Sequence, residues 1–479
     1  MSILNILYAV SEAVPFVKTG GLADVAGSLP AVLNRHGADV RVVLPLYESI
    51  GEPWRSRMSF EFSAYIQLGW RRLYCGLFSL DYEGTVYYFI DNEYYFKRSG
   101  IYGHYDDAER FAFFCKAIID ILPLMDWTAD VLSCNDWQTA LMPIYLRENY
   151  SEFYNRIRTV FTIHNIEYQG RYGRDTLGYV FGLPDILYTG GTLAYEEDIN
   201  LMKGAIYACD AITTVSPSYA CELMNPLFSK GLHKVIQENS HKLRGILNGL
   251  DVNTYNPASD HRIYVNYKAG DFKGKAMNKA MLQTDFGFEP KPDVPIIACV
   301  SRLVRHKGFE LVRDALFRLM EREVQFIIMG TGDADFEAFF RDSAAWYPGR
   351  MASVIMYADG ISAKIYAGAD MFLMPSLSEP CGLTQMISMR YGTVPIVREA
   401  GGLIDTVRPY PARDSNGFRF MHGSAEDMLG AVDRALALYY TDKAEWNCLA
   451  ERGMNEDLSW DKSAKEYMEM YQYLTEGFR

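Results

Sequence analysis

The 479 residues exceed what one ordinary hydrophobic core organises, so two large domains or three modest ones are expected. A hydrophobic content of 49% and a charged content of 22% are typical of a soluble globular protein and exclude a disordered one. The formal net charge of -13 excludes a general basic surface for nucleic acid or for an acidic membrane. Any phosphate site must therefore be local and made from a few placed cations.

The eight cysteines are scattered without a CxxC pair, and most lie in apolar runs. This pattern favours reduced buried thiols in a cytoplasmic protein, with neither a zinc site nor a disulfide framework. The N-terminal MSILNILYAVSEAVP lacks a basic segment and is interpreted as a first strand, not a targeting signal. No apolar stretch reaches the roughly 20 residues that a membrane helix needs. The histidines lack metal-ligand spacing, so no metal site is expected.

In the first half of the chain, short apolar runs alternate with segments of helical period, which is typical of parallel sheets built from βαβ units. The predicted elements are, in chain order, the strand ILNILYAVS, the helix LADVAGSLPAVLNRHG, the strands DVRVVLPLY and DVLSCND, the helix WQTALMPIYLREN, the strands RTVFTIHN and CDAITTVS, and the helix PSYACELMN. The aromatic residues 82–105 are interpreted as a hairpin or edge strand with half-buried tyrosines. Aromatic rings also stack on sugars, so this stretch gains interest if a glycan is involved.

The same alternation restarts after residues 252–294, which are rich in proline, asparagine and aspartate and are interpreted as a linker with a helix over 273–285. The predicted strands that follow are VPIIACVSRL, VQFIIMGTGD, ASVIMYAD, DMFLMPS, VPIVRE and GFRFMHG, each separated by a helical segment. The expected fold class is α/β, with two doubly wound Rossmann-like domains, 1–250 and 251–459, facing across a cleft.

Ligands of doubly wound sheets bind where strands end, so the residues that follow each strand are the candidates. In FVKTGGLADV, Gly20 and Gly21 let the backbone approach a ligand closely, and Lys18 beside them suggests that the ligand is anionic. An ordinary strand-to-helix turn with a solvated lysine is the alternative. Asp136 follows the strand VLSCN, and His164 follows the strand RTVFTI. A lone strand-end histidine is more often structural than catalytic.

Two further clusters follow strands of the second half. Arg302 and Lys307 lie five residues apart between a strand and a helix and suit a diphosphate, with a solvated basic loop as the alternative. Glu379 precedes a helix that opens at Leu383 and Thr384, where a carboxylate could orient a sugar hydroxyl beside phosphate-binding amides, or simply cap the helix. The look-alikes GDFKGKAM and GTGDAD lack the spacing of a Walker loop and of a dinucleotide fingerprint, so neither an ATPase nor a nicotinamide enzyme is supported.

Six motifs occur in order along the chain: KTGGLADV, CNDWQTAL, TIHN, NGLDVNTYNP, SRLVRHKG and SEPCGLTQ. With them the chain resembles, essentially end to end, the family of bacterial glycogen synthases and plant starch synthases. The resemblance implies the GT-B fold and transfer of glucose from ADP-glucose to the non-reducing-end 4-hydroxyl of an α-1,4-glucan, with retention of configuration. It implies ADP-glucose and glycogen as partners, no metal or pyridoxal phosphate cofactor, and a final helix over 460–479 that completes the first domain. Nothing in the sequence indicates an oligomeric state.

The resemblance also implies a role for each matching residue. Catalytic roles fall to Lys18, His164, Arg302, Lys307 and Glu379, of which Arg302 and Lys307 neutralise the departing ADP and Glu379 holds the glucose 3- and 4-hydroxyls. The implied donor contacts are Lys18, Gly20 and Gly21 at the phosphates, Asn248 near the sugar, Tyr357 on adenine, and Cys381, Gly382, Leu383 and Thr384 against phosphate and sugar. The implied glucose and acceptor contacts are Asp136, Asn165 and His164, with Glu12 and Asp24 as further candidates.

One departure affects the nucleotide. Many relatives in the wider fold class carry a second glutamate eight residues after the first, touching the ribose, whereas this chain has Ile387 there. The ribose contacts must therefore differ. The alternatives are a UDP-glucose-dependent glucosyltransferase of the same fold and a non-catalytic glucan-binding relative. Lys18, Arg302, Lys307 and Glu379 speak against the non-catalytic alternative, because glucan binding alone needs no diphosphate cations.

Overall fold

The computed structural model describes residues 3–148, 152–356 and 358–476, which divide into two compact units. Unit 1 comprises the described residues of Met1–Gly249 and Trp460–Arg479. Unit 2 comprises those of Leu250–Ser459.

The strands of unit 1 are β1 (Leu4–Ala9), β2 (Ala38–Pro45), β3 (Ser59–Leu68), β4 (Arg71–Tyr82), β5 (Thr85–Asp91), β6 (Val131–Asn135), β7 (Arg158–Ile163), β8 (Arg171–Gly173), β9 (Ala194–Tyr195), β10 (Asp198–Asn200), β11 (Ala211–Thr214) and β12 (Leu243–Gly245). Its helices up to Gly249 are α1 (Gly21–Arg35), α2 (Glu52–Arg55), α3 (Glu93–Phe96), α4 (Asp107–Ile121), α5 (Leu141–Glu148), α6 (Glu152–Asn155), α7 (Thr176–Tyr179), α8 (Ile186–Thr189), α9 (Leu201–Ala208), α10 (Pro217–Leu223) and α11 (His233–Glu238).

Within the described part of unit 1, nine strands form one sheet in the order β12-β11-β7-β6-β1-β2-β5-β4-β3. The strands from β12 to β5 run parallel, and β4 and β3 continue the sheet as an antiparallel hairpin. The central strand β1 is an almost unbroken buried apolar run because helices cover both faces of a parallel sheet. Strands β8, β10 and β9 form a separate antiparallel sheet.

The aromatic residues 82–105 differ in part from the expectation. Residues Tyr82–Thr85 close a hairpin between β4 and β5, as one of the two interpretations has it. However, β5 lies inside the sheet between β2 and β4, so it is not an edge strand, and Tyr87 and Tyr88 are buried rather than half buried. The edge strand on this side of the sheet is β3, which the sequence pattern did not reveal.

In unit 2 the strands are β13 (Ile296–Val300), β14 (Gln325–Met329), β15 (Met351–Val354), β16 (Met371–Met374), β17 (Val394–Arg398) and β18 (Phe418–Phe420). The helices are α12 (Phe272–Asp285), α13 (Phe309–Met320), α14 (Ala334–Trp346), α15 (Asp359–Gly368), α16 (Thr384–Arg390), α17 (Gly402–Thr406), α18 (Ala425–Thr441) and α19 (Lys443–Met454). Six described strands form a fully parallel sheet in the order β15-β14-β13-β16-β17-β18. The six strands predicted for this half of the chain are therefore confirmed, and so is the α/β fold class.

The last helix, α20 (Trp460–Thr475), belongs to unit 1. It packs along α1, and the Ser463 hydroxyl donates to the carbonyl of Leu247. Tyr471 is 0% exposed, and its hydroxyl lies 3.4 Å from the Ser133 hydroxyl on β6, the strand that leads into Asp136. The end of the chain therefore completes the core beneath a candidate site residue.

Replacing Tyr471 by alanine should lower the free energy of unfolding of unit 1 by about 3–5 kcal/mol, because a fully buried aromatic ring is lost from a packed core. Tyr473 on the same helix is 68% exposed, so Tyr473→Ala serves as the matched control. Urea unfolding followed by circular dichroism measures both changes. Equal stability of the two variants would contradict this packing of α20.

Candidate active site

The carboxyl end of β1 marks the topological switch point of unit 1. Strand β1 pairs with β2 on one side and with β6 on the other, so the connections leave in opposite directions. Open α/β sheets bind ligands in the crevice at such a point. Glu12 follows β1 and Asp136 follows β6, and both therefore lie at this edge.

Glu12 organises the loop that enters α1. Its buried carboxylate accepts hydrogen bonds from the amide and the hydroxyl of Thr19 and from the amide of Gly20, the last at 3.3 Å. The Tyr102 hydroxyl also donates to Glu12, at 3.2 Å. Because these bonds fix the backbone of Thr19 and Gly20, Glu12 sets the shape of the loop that carries Lys18.

Lys18 and Asp24 form an ion pair, with the lysine Nζ 2.7 Å from the aspartate Oδ1. Asp24 lies in the first turn of α1, which begins at Gly21 with Gly20 as its N-cap. An added Cβ at Gly20 would meet no atom within 4 Å, so the backbone there faces open space. The loop thus places the Lys18 ammonium, held by Asp24, near accessible backbone at the N-terminus of α1. Both features suit an anionic ligand.

Asp136 joins two of the predicted acceptor-site residues. Its Oδ1 accepts hydrogen bonds from the backbone amides of His164 at 2.8 Å and Asn165 at 3.3 Å. Its own φ of 58° and ψ of 180° lie in a region that residues other than glycine rarely adopt, so the backbone is strained at the switch point. Burial raises the pKa of the Asp136 carboxyl to about 7, although the two amide hydrogen bonds oppose this shift.

His164 is a neutral imidazole, because desolvation lowers its pKa to about 3. Its Nε2 lies 2.8 Å from the Asn135 Oδ1, and the Asn135 amide nitrogen donates to the carbonyl of Ala9 at 3.0 Å. The Asn135 oxygen is therefore the acceptor, and His164 carries its proton on Nε2. Sequence reasoning missed Asn135, although it directly precedes Asp136 at the end of β6.

Asn248, predicted to lie near the sugar, is buried in unit 1. Its backbone amide donates to the carbonyl of Val215 at 3.2 Å. Its side-chain Oδ1 is buried and has no hydrogen-bond partner among the described residues. A buried acceptor without a partner costs stability, so this atom is suited to a ligand hydroxyl or a water.

Sequence reasoning also missed Tyr102, which a buried ion pair holds in position. Arg110 is fully buried and pairs with Asp107 at the start of α4. The Arg110 guanidinium donates to the carbonyl of Ile101 at 3.4 Å, and the Asp107 Oδ2 accepts from the amide of Gly103 at 2.8 Å. The pair thereby holds the peptide groups on both sides of Tyr102. The signal in the sequence was weak, because α4 carries three other charged residues beside this pair.

The carboxyl ends of β13 and β16 form the switch point of unit 2, since β13 pairs with β14 on one side and with β16 on the other. Lys307 follows β13, and Glu379 follows β16. The Lys307 Nζ lies 2.6 Å from the Glu379 Oε2, and the Ser376 hydroxyl donates to the same oxygen at 3.0 Å. Both charged side chains are largely buried, so the two predicted residues form one tightly held pair.

Two glycines allow this pair to form. Gly308 has a φ of 77° at the start of α13, and an added Cβ would lie 1.9 Å from the Pro375 carbonyl oxygen. Gly401 has a φ of 42°, and its Cβ would lie 2.1 Å from the Glu379 carbonyl oxygen. Gly308 thus lets the loop after β13 approach the loop after β16, and Gly401 lets the loop after β17 approach the backbone of Glu379. Gly401 and Gly402 were visible in the sequence as a glycine pair before a helix but were not singled out.

Arg302 is exposed just past β13, and no carboxylate of the described residues pairs with it. The segment from Cys381 to Thr384 leads into α16, with Gly382 at a φ of 77° and Leu383 as the N-cap. Ile387 is buried in the core, which leaves no polar group at the position of the second glutamate. Tyr357, predicted to stack on adenine, lies outside the described residues.

Within the described residues, no cluster of three or more histidine, cysteine, aspartate or glutamate side chains is arranged to hold a metal ion. Across the same residues, no helix has the length and apolar character required to cross a bilayer.

Two doubly wound α/β units, each with polar side chains at its switch point, are the architecture of GT-B glycosyltransferases. The model of the starch synthase catalytic domain matches residues 5–238, and that of glycosyl transferases group 1 matches residues 283–446. Glycogen synthases of Anoxybacillus flavithermus (strain DSM 21510 / WK1) and Geobacillus stearothermophilus are each 46% identical, over 99% and 98% of both chains. The catalytic domain of starch synthase IV from Arabidopsis thaliana, bound to ADP and acarbose, superposes with a TM-score of 0.93 at 32% identity over 99% of this chain and 100% of that one. The chain belongs to the glycogen and starch synthase family and is a retaining glycosyltransferase.

Asp136→Asn should change how stability depends on pH. Since the pKa of Asp136 is raised when the protein is folded, its stabilising contribution is full below its ordinary pKa and is lost as the pH rises through about 7. The asparagine side chain does not titrate. The free energy of unfolding of the variant, relative to that of the parent protein, should therefore rise between pH 4.5 and pH 8. Urea unfolding at both pH values measures this difference. Asp126→Asn, an exposed site in the same unit, is the control; the same pH trend in both variants would contradict the raised pKa.

Proposed function

We propose that this chain transfers glucose from ADP-glucose to the non-reducing-end 4-hydroxyl of an α-1,4-glucan, with retention of configuration. The observation that carries the proposal is the pair of Lys307 and Glu379 at the switch point of unit 2. A cation beside a carboxylate suits a ligand with a diphosphate at one end and hydroxyls at the other. The structural relative bound to ADP supports ADP as the leaving group.

The donor can use this pair without breaking it. The Lys307 ammonium has three N–H donors and spends one on Glu379, so two remain for phosphate oxygens. Glu379 has a second carboxylate oxygen that can accept from glucose hydroxyls, as the resemblance implies. Arg302 can fork onto two phosphate oxygens from the neighbouring turn. The proposed role of these cations is to stabilise the charge that grows on ADP as it leaves.

We assign the retention of configuration to front-face attack, in which the acceptor hydroxyl attacks the glucose C1 from the face from which ADP departs. The bond from the glucose C1 to the β-phosphate oxygen breaks, and a bond from C1 to the acceptor oxygen forms on the same face. The acceptor proton passes to an oxygen of the departing phosphate. Positioning and stabilisation of the leaving group supply most of the rate enhancement in this mechanism.

Unit 1 is proposed to bind the hydroxyls of the glucose and of the acceptor. His164 is uncharged, and its Nε2 proton is donated to Asn135, so an acidic role is not proposed for it. Asp136 instead fixes the backbone at His164 and Asn165, and the His164 backbone is proposed to lie beside the positively charged sugar carbon. The Gly20 amide region and Lys18 are proposed to approach the donor phosphates.

Two further expectations stay part of the proposal. Neither a metal ion nor pyridoxal phosphate is required, since Arg302 and Lys307 supply positive charge for the diphosphate; undiminished transfer in EDTA would support this. A cytoplasmic location is proposed because the eight cysteines are unpaired thiols, six of them buried.

Arg302→Ala and Lys307→Ala should each lower kcat by roughly 10²-fold or more, because each removes charge stabilisation that matters most in the transition state. Lys307→Ala also leaves Glu379 buried without its partner, at a cost of about 3–5 kcal/mol, whereas exposed Arg302 carries no such cost. Arg305→Ala, on the same turn and 79% exposed, is the control. Near-native turnover by the Arg302 or Lys307 variant, measured with correctly folded protein, would remove that residue from the mechanism.

Incorporation of labelled glucose into glycogen, with ADP-glucose compared to UDP-glucose, tests the function itself. The proposal expects transfer from ADP-glucose at the higher kcat/KM. Preference for UDP-glucose would favour the alternative donor. Glycogen binding without transfer from either donor would favour a non-catalytic relative.

A further inference from the structure

Gln385 is a buried polar side chain of unit 2 to which the candidate site gives no role. It is the last residue of the SEPCGLTQ motif and the second residue of α16, and it is 0% exposed. A buried amide is costly unless its nitrogen and its oxygen both have hydrogen-bond partners. The contacts of Gln385 therefore indicate what this side chain holds in place.

The side-chain nitrogen of Gln385 holds the loop that precedes α16. Its Nε2 donates to the carbonyl oxygens of Cys381 at 3.2 Å and of Gly382 at 2.9 Å. A third acceptor, the Thr406 Oγ1 on α17, lies 3.1 Å away and itself donates to the carbonyl of Gly402. Because the two loop carbonyls can only accept, the nitrogen of the amide must face them.

The side-chain oxygen of Gln385 is not paired. The Oε1 atom is buried and has no hydrogen-bond partner among the described residues. Gly382 packs directly against the same amide, since an added Cβ there would lie 2.4 Å from this oxygen. An unpaired buried oxygen lowers stability, and an apolar side chain of similar size would avoid that penalty. We therefore attribute the glutamine to the bonds that its nitrogen makes.

The two loop carbonyls determine where the next two amides point. In a trans peptide the C=O of one residue and the N–H of the next are antiparallel in one plane. The carbonyls of Cys381 and Gly382 turn inward onto Gln385, so the amides of Gly382 and Leu383 turn outward. Both of these residues are partly exposed, and neither amide donates to an acceptor in the described parts of the chain.

The backbone conformation brings the two outward amides together. Gly382 has a φ of 77°, and Leu383 has a φ of -111° with a ψ of -33°. Successive residues of opposite hand form a concave nest in which neighbouring N–H groups converge on an anion. The loop follows β16, so the nest lies at the strand ends that also carry Lys307 and Glu379.

We infer that Gln385 is a positioning residue for the donor, because it aims the amides of Gly382 and Leu383 at the phosphate oxygens of the nucleotide sugar. This inference rests on the proposed function, which supplies the diphosphate. Gln385 is not proposed to touch the donor and acts only through the two peptide groups. As the bond to glucose breaks, negative charge grows on the departing phosphate, and N–H donors that are already aimed stabilise this charge without reorganisation.

An anion is the ligand that the nest favours. Two converging N–H groups offer donors and no acceptor, whereas a sugar hydroxyl both donates and accepts. The nearby carboxylate of Glu379 is paired with Lys307, so it leaves little negative charge to repel a phosphate. The amides thereby add donors of fixed direction to the positive charge that Lys307 and Arg302 supply.

The test uses the full chain with Gln385→Met, which keeps the length and approximate volume of the side chain but removes its N–H donors. Gln283→Met is the matched control. Gln283 is 1% exposed, lies on α12 of the same unit, and donates through its Nε2 to the carbonyl of Lys291 and to the Gln325 Oε1. Gln325 is the first residue of β14, so this second buried amide lies at the opposite end of the strands.

Kinetics and ADP binding separate positioning from a contribution to stability. For Gln385→Met, kcat with ADP-glucose should fall by about ten-fold to 10²-fold while KM for glycogen is unchanged, because only the stabilisation of the leaving group is weakened. Titration with ADP alone should show an affinity weaker by about ten-fold or more. Gln283→Met should lose a similar amount of stability in urea unfolding and keep the parent kcat and ADP affinity.

A third measurement uses the parent protein and does not depend on the folding of a variant. Hydrogen exchange followed by mass spectrometry should show that ADP protects the amides of Gly382 and Leu383, because a bound phosphate oxygen would accept from both. The segment Lys291–Gln325 at the other end of the strands includes residues far from the nest, and Gln325 itself should exchange at the same rate with and without ADP.

Four results would overturn the inference. They are near-parent kcat and ADP affinity in Gln385→Met, equal losses of ADP affinity in both methionine variants, no binding of ADP by the parent, and no protection of the two amides by ADP. If the parent binds ADP but transfers no glucose, the proposed function fails. The ADP titration and the exchange measurement still decide the role of Gln385 in that case, so the two failures are distinguishable.

Discussion

The contact between Lys307 and Glu379 is the interaction on which the proposed chemistry depends. Opposite charges this deeply placed are costly to desolvate and are retained only where hydrogen bonds and geometry compensate. Ser376 supplies an additional hydrogen bond to the same carboxylate oxygen, and the glycines at 308 and 401 allow the backbones to approach closely enough. The pair joins the ends of β13 and β16 and sets the positions of both loops that would contact a donor.

The two units use charge differently. In unit 2 a lysine and an arginine supply positive charge where a diphosphate is proposed to bind. In unit 1 the carboxylates of Glu12 and Asp136 are occupied by backbone amides, and they shape loops rather than presenting free charge. His164 is neutral for the same reason that Asp136 has a raised pKa: the surrounding protein desolvates both side chains. With Lys18 as the cation that unit 1 is proposed to add at the diphosphate, this arrangement suits a reaction in which ADP leaves as an anion and the acceptor is an uncharged hydroxyl.

The parallel core was predictable because buried strands such as VPIIACVSRL and RTVFTIHN are short apolar runs bounded by polar loops. The edge hairpin β3–β4 was not, because its alternating, partly exposed residues give a weak signal. Single candidate residues at strand ends, such as Asp136 and Glu379, could be selected from position alone. Their partners Asn135, Ser376 and Tyr102 could not, since these contacts depend on which strands are neighbours in the sheet. The pairing of Lys307 with Glu379 is likewise a consequence of β13 lying beside β16, which the order of the chain does not reveal.

The most direct test of the account is a crystal structure of the protein with ADP bound. The diphosphate should lie within hydrogen-bonding distance of Lys307 and Arg302, at the carboxyl ends of β13 and β16. A diphosphate bound away from both residues would contradict it.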